Sequence, residues 1–167
     1  MRDLTKAHIV LANVPQVTKL ANRFAQLLEE HATHFNKTPW VIFLEGDLGT
    51  GKTTFARACL QAMGETGKIK SPTYTILESY DIKQWQIFHL DLYRLADPEE
   101  LYFLGIEDHL TPNTIFFVEW PKKGGDVLPK PDILLNYKFL AQGRALELTA
   151  FSQRAFPLLE SIHEICV

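Results

Sequence analysis

The chain has few of the residues that cross-link small proteins through disulfides or metal ions. Its 167 residues include only two cysteines, Cys59 and Cys166, which lie far apart and form neither a Cys-x-x-Cys pair nor a Cys/His ligand spacing. The sequence therefore offers no disulfide framework and no support for a structural zinc site. Such sparse use of cysteine favours a reducing compartment.

Long apolar segments are also absent from the sequence. No apolar run approaches the roughly 20 residues that a helix needs to span a bilayer. Residues 1–6 are not followed by the long apolar segment that a signal peptide contains. We therefore expect no signal peptide, no membrane segment and a cytoplasmic location.

The chain has little excess charge of either sign. Its formal net charge is -3, with 46% hydrophobic and 22% charged residues, which is typical of a soluble globular protein. This balance argues against a surface that binds nucleic acid broadly, although a local basic patch remains compatible with it. The length predicts one domain over residues 1–167, with a core that needs no disulfides.

Short apolar runs alternate along the chain with segments of helical periodicity. Strands are predicted over residues 7–12, 40–45, 74–80, 85–90, 114–118, 133–139 and 145–149. Helices are predicted from Pro15 to Ala32, from Lys52 to Met63, from Asp97 to Leu104 and over residues 152–164, with Asp97 as an N-cap and residues 122–126 as a loop. The polar link 81–84 predicts an antiparallel hairpin between its two flanking strands. These elements predict a single α/β domain with a mixed sheet flanked by helices.

One glycine-rich segment carries the strongest functional signal. It reads Gly46-Asp47-Leu48-Gly49-Thr50-Gly51-Lys52-Thr53, followed by Thr54, and lies between a predicted strand and a predicted helix. The glycines let the backbone approach phosphates, while successive N–H groups and the N-terminus of the helix face the anion. Lys52 is expected to reach the β- and γ-phosphates, and Thr53 to offer its hydroxyl to Mg²⁺. The segment therefore predicts a P-loop and a P-loop NTPase-like fold.

A P-loop ATPase also needs a carboxylate at the end of a neighbouring strand, where it holds the metal or orients water. Glu119 directly follows the apolar run 115–118 and fits this role. Asp91, at the end of the run 85–90, is the second candidate, although an aspartate that opens a turn is the alternative interpretation. We predict both as catalytic residues with Lys52, and Thr53 and Glu119 as metal ligands.

The segment between the P-loop helix and the hairpin contains Ser71-Pro72-Thr73-Tyr74. Switch segments of nucleotide hydrolases lie in a similar place, so Ser71 or Thr73 is a candidate for sensing the γ-phosphate. By its spacing alone the segment is also an ordinary X-Pro turn. His89 has two interpretations as well, because a histidine in an apolar strand is often a satisfied core residue.

The nucleotide base leaves a weaker signal than the phosphates. Neither Asn-Lys-x-Asp nor Asp-x-x-Gly follows the P-loop, which disfavours guanine. Adenine recognition has no comparable signature. ATP with Mg²⁺ is therefore the default expectation.

Five segments, in this order and spacing, resemble the bacterial TsaE (YjeE) family. They are the glycine-rich segment with Thr54, Lys70-Ser71-Pro72-Thr73-Tyr74-Thr75, His89-Leu90-Asp91-Leu92-Tyr93-Arg94, Asp97-Pro98-Glu99-Glu100-Leu101 and Glu119-Trp120-Pro121. The resemblance covers roughly residues 15–150. Five motifs in sequence are far more specific than the P-loop alone.

The resemblance implies an ATPase subunit in the synthesis of N6-threonylcarbamoyladenosine at position 37 of tRNA. It implies binding to TsaD and TsaB, with slow hydrolysis by the isolated protein, and an indirect link to tRNA through that complex. It implies that Lys52 and Thr53 serve ATP and Mg²⁺ and that Glu119 is the catalytic acid linked to the metal. The family's pattern makes residues 71–75 and 89–94, including His89 and Arg94, switch-like, and Trp120 adjacent to the site.

Two other functions remain open at this point. A small-molecule P-loop kinase would normally carry lid arginines that clamp the transferred phosphate, but the arginines after the loop, Arg57, Arg94, Arg144 and Arg154, form no cluster in sequence. A regulatory module, in which ATP only shifts the conformation, would need no catalytic acid such as Glu119. Phosphate release from ATP, with and without an acceptor, separates these possibilities.

Overall fold

A computed structural model describes residues 5–32 and 37–165 of the chain. Seven strands within these residues form one sheet: β1 (Lys6–Leu11), β2 (Trp40–Glu45), β3 (Leu77–Ile82), β4 (Trp85–Asp91), β5 (Thr114–Glu119), β6 (Ile133–Phe139) and β7 (Arg144–Ala150). The α-helices are α1 (Val14–Ala32), α2 (Lys52–Met63), α3 (Glu100–Phe103) and α4 (Phe156–Ile165). Short 3₁₀ helices cover Ile106–His109, Pro121–Val127 and Gln153–Ala155.

The sheet has a parallel centre and antiparallel edges. Its order is β1-β7-β6-β2-β5-β4-β3. Strand β2 pairs in parallel with β5 and β6, and β5 pairs in parallel with β4. The outer strands β1, β7 and β3 run antiparallel to their neighbours. The prediction of an α/β fold with a mixed sheet and an antiparallel hairpin is confirmed.

Apolar side chains cover both faces of the sheet, as a buried parallel centre requires. In β5, Ile115 and Phe117 pack with the side chains of α1, α2 and α4, whereas Phe116 and Val118 join a smaller cluster with Leu101 and Leu128 on the opposite face. This alternation follows from the two-residue period of a strand. The larger cluster therefore fixes α2, and with it the P-loop, against the sheet.

The parallel strands place the candidate site at one edge of the sheet. Because β2, β4 and β5 run in the same direction, their carboxyl ends meet at that edge, where α/β proteins bind ligands. Leu44 lies opposite Glu119 in the register, and Asp91 lies opposite Glu119 from the other side. The P-loop follows β2 directly, so the loop and the two predicted carboxylates come together.

The predicted strand 74–80 begins too early. Residues 72–75 form a turn, in which the Ile76 amide donates to the Pro72 carbonyl at 2.8 Å, and β3 starts only at Leu77. Ile76 has φ 67°, which lies outside the β region and is rare for a β-branched residue, so the strand cannot include it. At its other end β3 continues to Ile82, so the hairpin turn is shorter than the predicted link 81–84.

Three other segments differ from the prediction in the type or extent of their helix. The helix predicted from Asp97 has its α-helical turn only at Glu100–Phe103, with Glu99 as N-cap, although the Asp97 carboxylate still accepts the Glu99 amide at 2.9 Å. The predicted loop 122–126 lies within a 3₁₀ helix that Gly125 interrupts. The terminal segment is a 3₁₀ turn followed by α4.

Cys59 is a buried thiol on α2 that forms no disulfide, and Cys166 lies outside the described residues.

None of the helices within residues 5–32 and 37–165 combines the length and the apolar character that a bilayer crossing requires.

Candidate nucleotide-binding site

The P-loop backbone turns in conformations that its glycines permit. Gly46 has φ 141°, and a Cβ on it would lie 2.7 Å from the Tyr137 carbonyl of β6. Gly51 has φ 109° and is the N-cap residue of α2. The loop therefore leads from β2 into the N-terminus of a twelve-residue helix, where backbone amides favour an anion.

Lys52 is folded back onto the loop that carries it. Its Nζ donates to the carbonyl oxygens of Gly46 at 2.6 Å and Asp47 at 2.8 Å. The Trp120 ring centroid lies 4.6 Å from the same Nζ, within the range of a cation–π contact. The ammonium group is thus placed inside the loop, and only 4% of the residue is exposed.

Burial lowers the pKa of Lys52 below its usual value, because a desolvated ammonium group is less stable in its charged form. The carboxylates of Glu119, Asp91 and Asp47 act in the opposite direction. Because burial and the carboxylates act in opposite directions, a more strongly negative ligand, such as a phosphate chain, would stabilise the charged ammonium group further.

Glu119 lies at the centre of a short chain of hydrogen bonds. The Thr53 hydroxyl donates to its Oε1 at 2.8 Å and its Oε2 at 2.9 Å. The His89 Nε2 lies 2.8 Å from the same Oε1. Glu119 is 2% exposed and His89 is fully buried. The structure thus joins the predicted metal-binding hydroxyl to the predicted catalytic acid.

Asp91 is brought beside Glu119 by the register of β4 and β5. Its Oδ1 accepts the Tyr93 amide at 3.1 Å. Burial raises the pKa of Asp91, and the nearby negative charge of Glu119 adds to that increase. Its position at the same strand edge is compatible with its predicted role, but it does not contact Lys52 or Thr53 through a hydrogen bond in the described residues.

Arg144 is a P-loop contact that the sequence did not predict. This residue opens β7, and its Nη2 donates to the Gly49 carbonyl at 3.1 Å across 95 positions of sequence. A Cβ on Gly51 would lie 3.5 Å from its Nη1. The only indication of this contact in the sequence is that Arg144 directly follows the Gly143 turn. That turn can be placed beside the P-loop only when the pairing of β6 with β2 is known.

Trp120 turns the chain away from the sheet after Glu119. It has φ 55° and ψ 50°, a left-handed conformation that few residues with a side chain adopt. Its ring lies 5.0 Å from the Tyr93 ring, in addition to its contact with Lys52. The predicted site-adjacent residue thus covers the P-loop lysine.

A cleft of about 500 Å³ opens beside the loop. It is lined by Glu45, Gly46, Asp47, Trp120, Pro121, Lys122, Lys123, Asn136, Tyr137, Lys138 and Phe139. Aromatic rings, one amide and three lysines therefore surround a space that is continuous with the P-loop. Its volume lies in the range of small-molecule sites.

The predicted switch residues lie farther along the same edge. Ser71 and Thr73 bond to each other through their hydroxyls at 2.7 Å, rather than to Lys52, Thr53 or Glu119. The Arg94 guanidinium lies 4.7 Å from the centre of the exposed Tyr74 ring. The turn is tied to the site through the Asp91 amide, which donates to the Ile76 carbonyl at 2.9 Å.

The donor set fits Mg²⁺ held jointly by protein and nucleotide. The described residues contain no cluster of three or more His, Cys, Asp or Glu side chains that could enclose a metal. Mg²⁺ commonly keeps several waters and binds through one or two carboxylates plus substrate phosphates. The Thr53 hydroxyl and the Glu119 carboxylate would supply such a partial set.

Comparison with known proteins connects this geometry with a family. The family model described as "Threonylcarbamoyl adenosine biosynthesis protein TsaE" matches residues 11–146. The crystal structure of Bacillus subtilis YdiB is similar, with a TM-score of 0.70 and 26% identity, over 96% of this chain and 95% of that one.

Relatives named as tRNA threonylcarbamoyladenosine biosynthesis protein TsaE align over most of the chain. The protein from Haemophilus influenzae is 46% identical over 132 residues, which cover 79% of this chain and 82% of the relative. The protein from Bacillus subtilis is 33% identical over 129 residues, covering 77% and 80%. The chain belongs to the TsaE family.

Proposed function

We propose that this protein is a Mg²⁺-dependent ATPase that acts in the cytoplasm in the synthesis of N6-threonylcarbamoyladenosine in tRNA. The family and the names of its relatives support the pathway. The observation that supports the ATPase activity is the bifurcated hydrogen bond from the Thr53 hydroxyl to the two Glu119 oxygens, at 2.8 and 2.9 Å, beside Lys52. A P-loop hydroxyl and a strand-end acid thus lie close enough to share one metal ion.

The hydrogen bonds that Lys52 makes in the structure support the proposal that it binds nucleotide. Its Nζ donates to two neutral carbonyl oxygens, whereas a phosphate oxygen is a charged acceptor that forms stronger hydrogen bonds. We expect Lys52 to exchange the Gly46 and Asp47 carbonyls for phosphate oxygens. The α2 N-terminus would add its backbone amides on the same anion.

Thr53 and Glu119 can serve one metal ion together. The Thr53 hydroxyl oxygen has lone pairs to offer the ion while its proton remains in the hydrogen bond to the Glu119 carboxylate. A Mg²⁺ ion held by these two residues would supply positive charge against the charge that develops on the phosphates. The buried Glu119 would hold the metal or orient the attacking water, and Asp91 would add a second carboxyl group at the same edge.

The cleft beside the P-loop supports a nucleoside triphosphate over a smaller phosphorylated ligand. Its volume of about 500 Å³ has room for a base and ribose. Trp120 and Phe139 offer aromatic surfaces there, and Asn136 offers an amide. The absence of guanine-recognition motifs from the sequence favours ATP.

The rival kinase activity has less support from the arginines. Arg144 donates to a P-loop carbonyl and Arg94 lies against Tyr74. Arg154 is engaged with Asp132 through its Nη2 at 2.8 Å. Among the described residues these side chains do not converge on the loop as a clamp for a transferred phosphate would.

Phosphate release from Mg²⁺-ATP tests the ATPase proposal. The protein should release phosphate slowly without an acceptor, and TsaD with TsaB should change the rate. Phosphate transfer that requires a small-molecule acceptor would indicate a kinase. Tight ATP binding with no release, alone or with these partners, would indicate a regulatory module.

Nucleotide state should also control binding to TsaD and TsaB. The turn 72–75 connects to the site through the hydrogen bond between Ile76 and Asp91, so a change at the strand edge can reach the exposed Tyr74. Linkage then requires ATP and ADP to alter partner affinity by different amounts.

Binding to the TsaD–TsaB complex can be measured with an ATP analogue, with ADP and without nucleotide. Thr73→Ala should reduce the difference between the ATP analogue and ADP, because it removes the bond to Ser71. Thr111→Ala is the matched control, since the exposed Thr111 shares a hydroxyl–hydroxyl bond with Thr114, at the opposite end of β5 from Glu119. Equal affinity in all three nucleotide states would refute the switch and leave the ATPase proposal intact.

A further inference from the structure

His89 occupies a place where an apolar residue would be expected. It lies in β4 between Phe88 and Leu90, which are buried, and the histidine itself is fully buried. Its Nδ1 has no hydrogen-bond partner among the described residues. A buried polar atom without a partner destabilises the fold, so packing alone does not explain a histidine at this position.

The other ring nitrogen makes one specific contact. The His89 Nε2 lies 2.8 Å from Oε1 of Glu119, and both side chains are almost completely shielded from water. A carboxylate only accepts hydrogen bonds, so the Nε2 donates. A short hydrogen bond to an ionised group in a buried site is directional and strong.

The two Glu119 oxygens have unequal partners. Oε1 accepts from both Thr53 and His89, whereas Oε2 accepts from Thr53 alone. The hydroxyl has one proton, which the two oxygens share, so Oε2 has the weaker set of partners and remains the more available oxygen for a metal ion or a water. Because His89 holds Oε1, it sets the direction of Oε2.

We propose that His89 is a positioning residue that fixes the rotamer of Glu119, so that one carboxylate oxygen faces the metal or the attacking water. This inference depends on the proposed role of Glu119 in ATP hydrolysis. The hydrogen-bond contact of His89 is with the Glu119 carboxylate, and His89 acts only through it. It contributes to the rate and leaves nucleotide affinity to Lys52 and the loop.

Two substitutions of similar polarity test the contact. Glutamine carries an amide nitrogen at about the reach of Nε2, whereas asparagine is one methylene shorter and cannot span the distance to Glu119. His89→Asn should lower kcat by about 10- to 100-fold, the usual loss for a residue that orients a ligand, with little change in KM for ATP. His89→Gln should recover most of the lost rate.

The controls separate positioning from folding. His8→Asn makes the same change on the exposed face of β1 and should leave kcat unchanged. Each variant is also checked by its melting temperature. A structural role alone would lower the melting temperature of both His89 variants and affect kcat and KM without rescue by glutamine.

Glu119→Gln, measured in parallel, distinguishes this inference from the proposed function. If Glu119→Gln abolishes hydrolysis but folded His89→Asn keeps the wild-type kcat, the positioning role is wrong and the ATPase proposal stands. If Glu119→Gln leaves hydrolysis unchanged, the proposed function fails at its catalytic acid. Loss of kcat in His89→Asn with recovery in His89→Gln supports the inference.

Discussion

Replacing Glu119 with glutamine removes one negative charge from the centre of the candidate site while keeping its shape. In the wild type, the carboxylate accepts hydrogen bonds from Thr53 and His89 within a pocket that leaves only 2% of the residue exposed. The amide keeps one acceptor oxygen and replaces the other with a donor. The variant should therefore bind nucleotide through Lys52 and the loop but lose the charge that acts on the metal or water.

The expected loss of rate is large relative to the loss of stability. Removing a catalytic acid or base typically costs on the order of 10²–10⁴ in rate, or about 2.7–5.4 kcal/mol in the barrier. Hydrogen bonds to a charged group contribute about 1.5–3 kcal/mol and neutral ones about 1 kcal/mol. Removing the charge also relieves repulsion from Asp91. We therefore expect a net change in folding free energy below about 2 kcal/mol.

The assay measures phosphate release, the dissociation constant for an ATP analogue and the melting temperature of one preparation. A protein of this size should lose only a few degrees in Tm for a change of that order, roughly 2–4 °C per kcal/mol. Glu119→Gln should retain ATP affinity within a few-fold while hydrolysis falls at least about 100-fold. Hydrolysis within threefold of wild type, in a variant that binds ATP normally, would refute the reasoning.

Lys52→Ala should abolish tight ATP binding in a titration, because the phosphates lose the lysine ammonium group placed inside the loop. Thr53→Ala should weaken binding in Mg²⁺ more than in EDTA, since the hydroxyl serves the metal. Arg144→Gln should weaken nucleotide binding about threefold to tenfold by calorimetry, as the loop loses a hydrogen bond at Gly49 that contributes about 1 kcal/mol. Asp91→Asn should raise Tm at neutral pH, because burial raises the pKa of the wild-type carboxyl and so makes its ionised form destabilising. That gain should shrink as pH falls through the raised pKa, where the folded wild type also becomes neutral.

Matched controls make these outcomes decisive. Arg57→Gln removes the same charge from an exposed position on α2 and should leave nucleotide affinity unchanged. Near-normal Mg²⁺-ATP turnover in Lys52→Ala and Thr53→Ala would contradict the P-loop assignment. A Tm gain in Asp91→Asn that is equal at pH 4 and pH 7 would contradict the burial argument. Loss of hydrolysis in Asp91→Asn but not in Glu119→Gln would show that the two acids have exchanged roles.

The local parts of the site could be predicted from the sequence because each depends on adjacent residues. The P-loop is recognisable from its glycines and from the strand and helix on either side, and Glu119 from its place after a buried strand. The structure brings these residues together because parallel strands end at the same edge. Their roles in binding and hydrolysis stay predictions.

Contacts between distant segments could not be predicted in the same way. The hydrogen bond from Arg144 to Gly49 depends on β7 pairing with β6, and on β6 pairing in turn with β2. The contact between His89 and Glu119 likewise depends on the register of β4 and β5. A single sequence shows the apolar pattern of each strand but not its neighbours.

The late start of β3 has a different cause. The run from Tyr74 to Tyr80 has strong strand propensity, yet Ile76 adopts φ 67° and its amide closes a turn on Pro72. Tertiary contacts of this turn with β4, through the Ile76 carbonyl and the Asp91 amide, override the local preference. The turn that results is the segment to which we assign the nucleotide switch.

The amount of N6-threonylcarbamoyladenosine in tRNA tests the central claim most directly. It can be measured by mass spectrometry of tRNA nucleosides from cells that lack this protein and carry either the wild type or Lys52→Ala at equal levels. We predict that its loss depletes the modified nucleoside, that the wild type restores it and that Lys52→Ala does not. Unchanged modification without the protein, or full restoration by folded Lys52→Ala, would contradict a nucleotide-dependent role in this pathway.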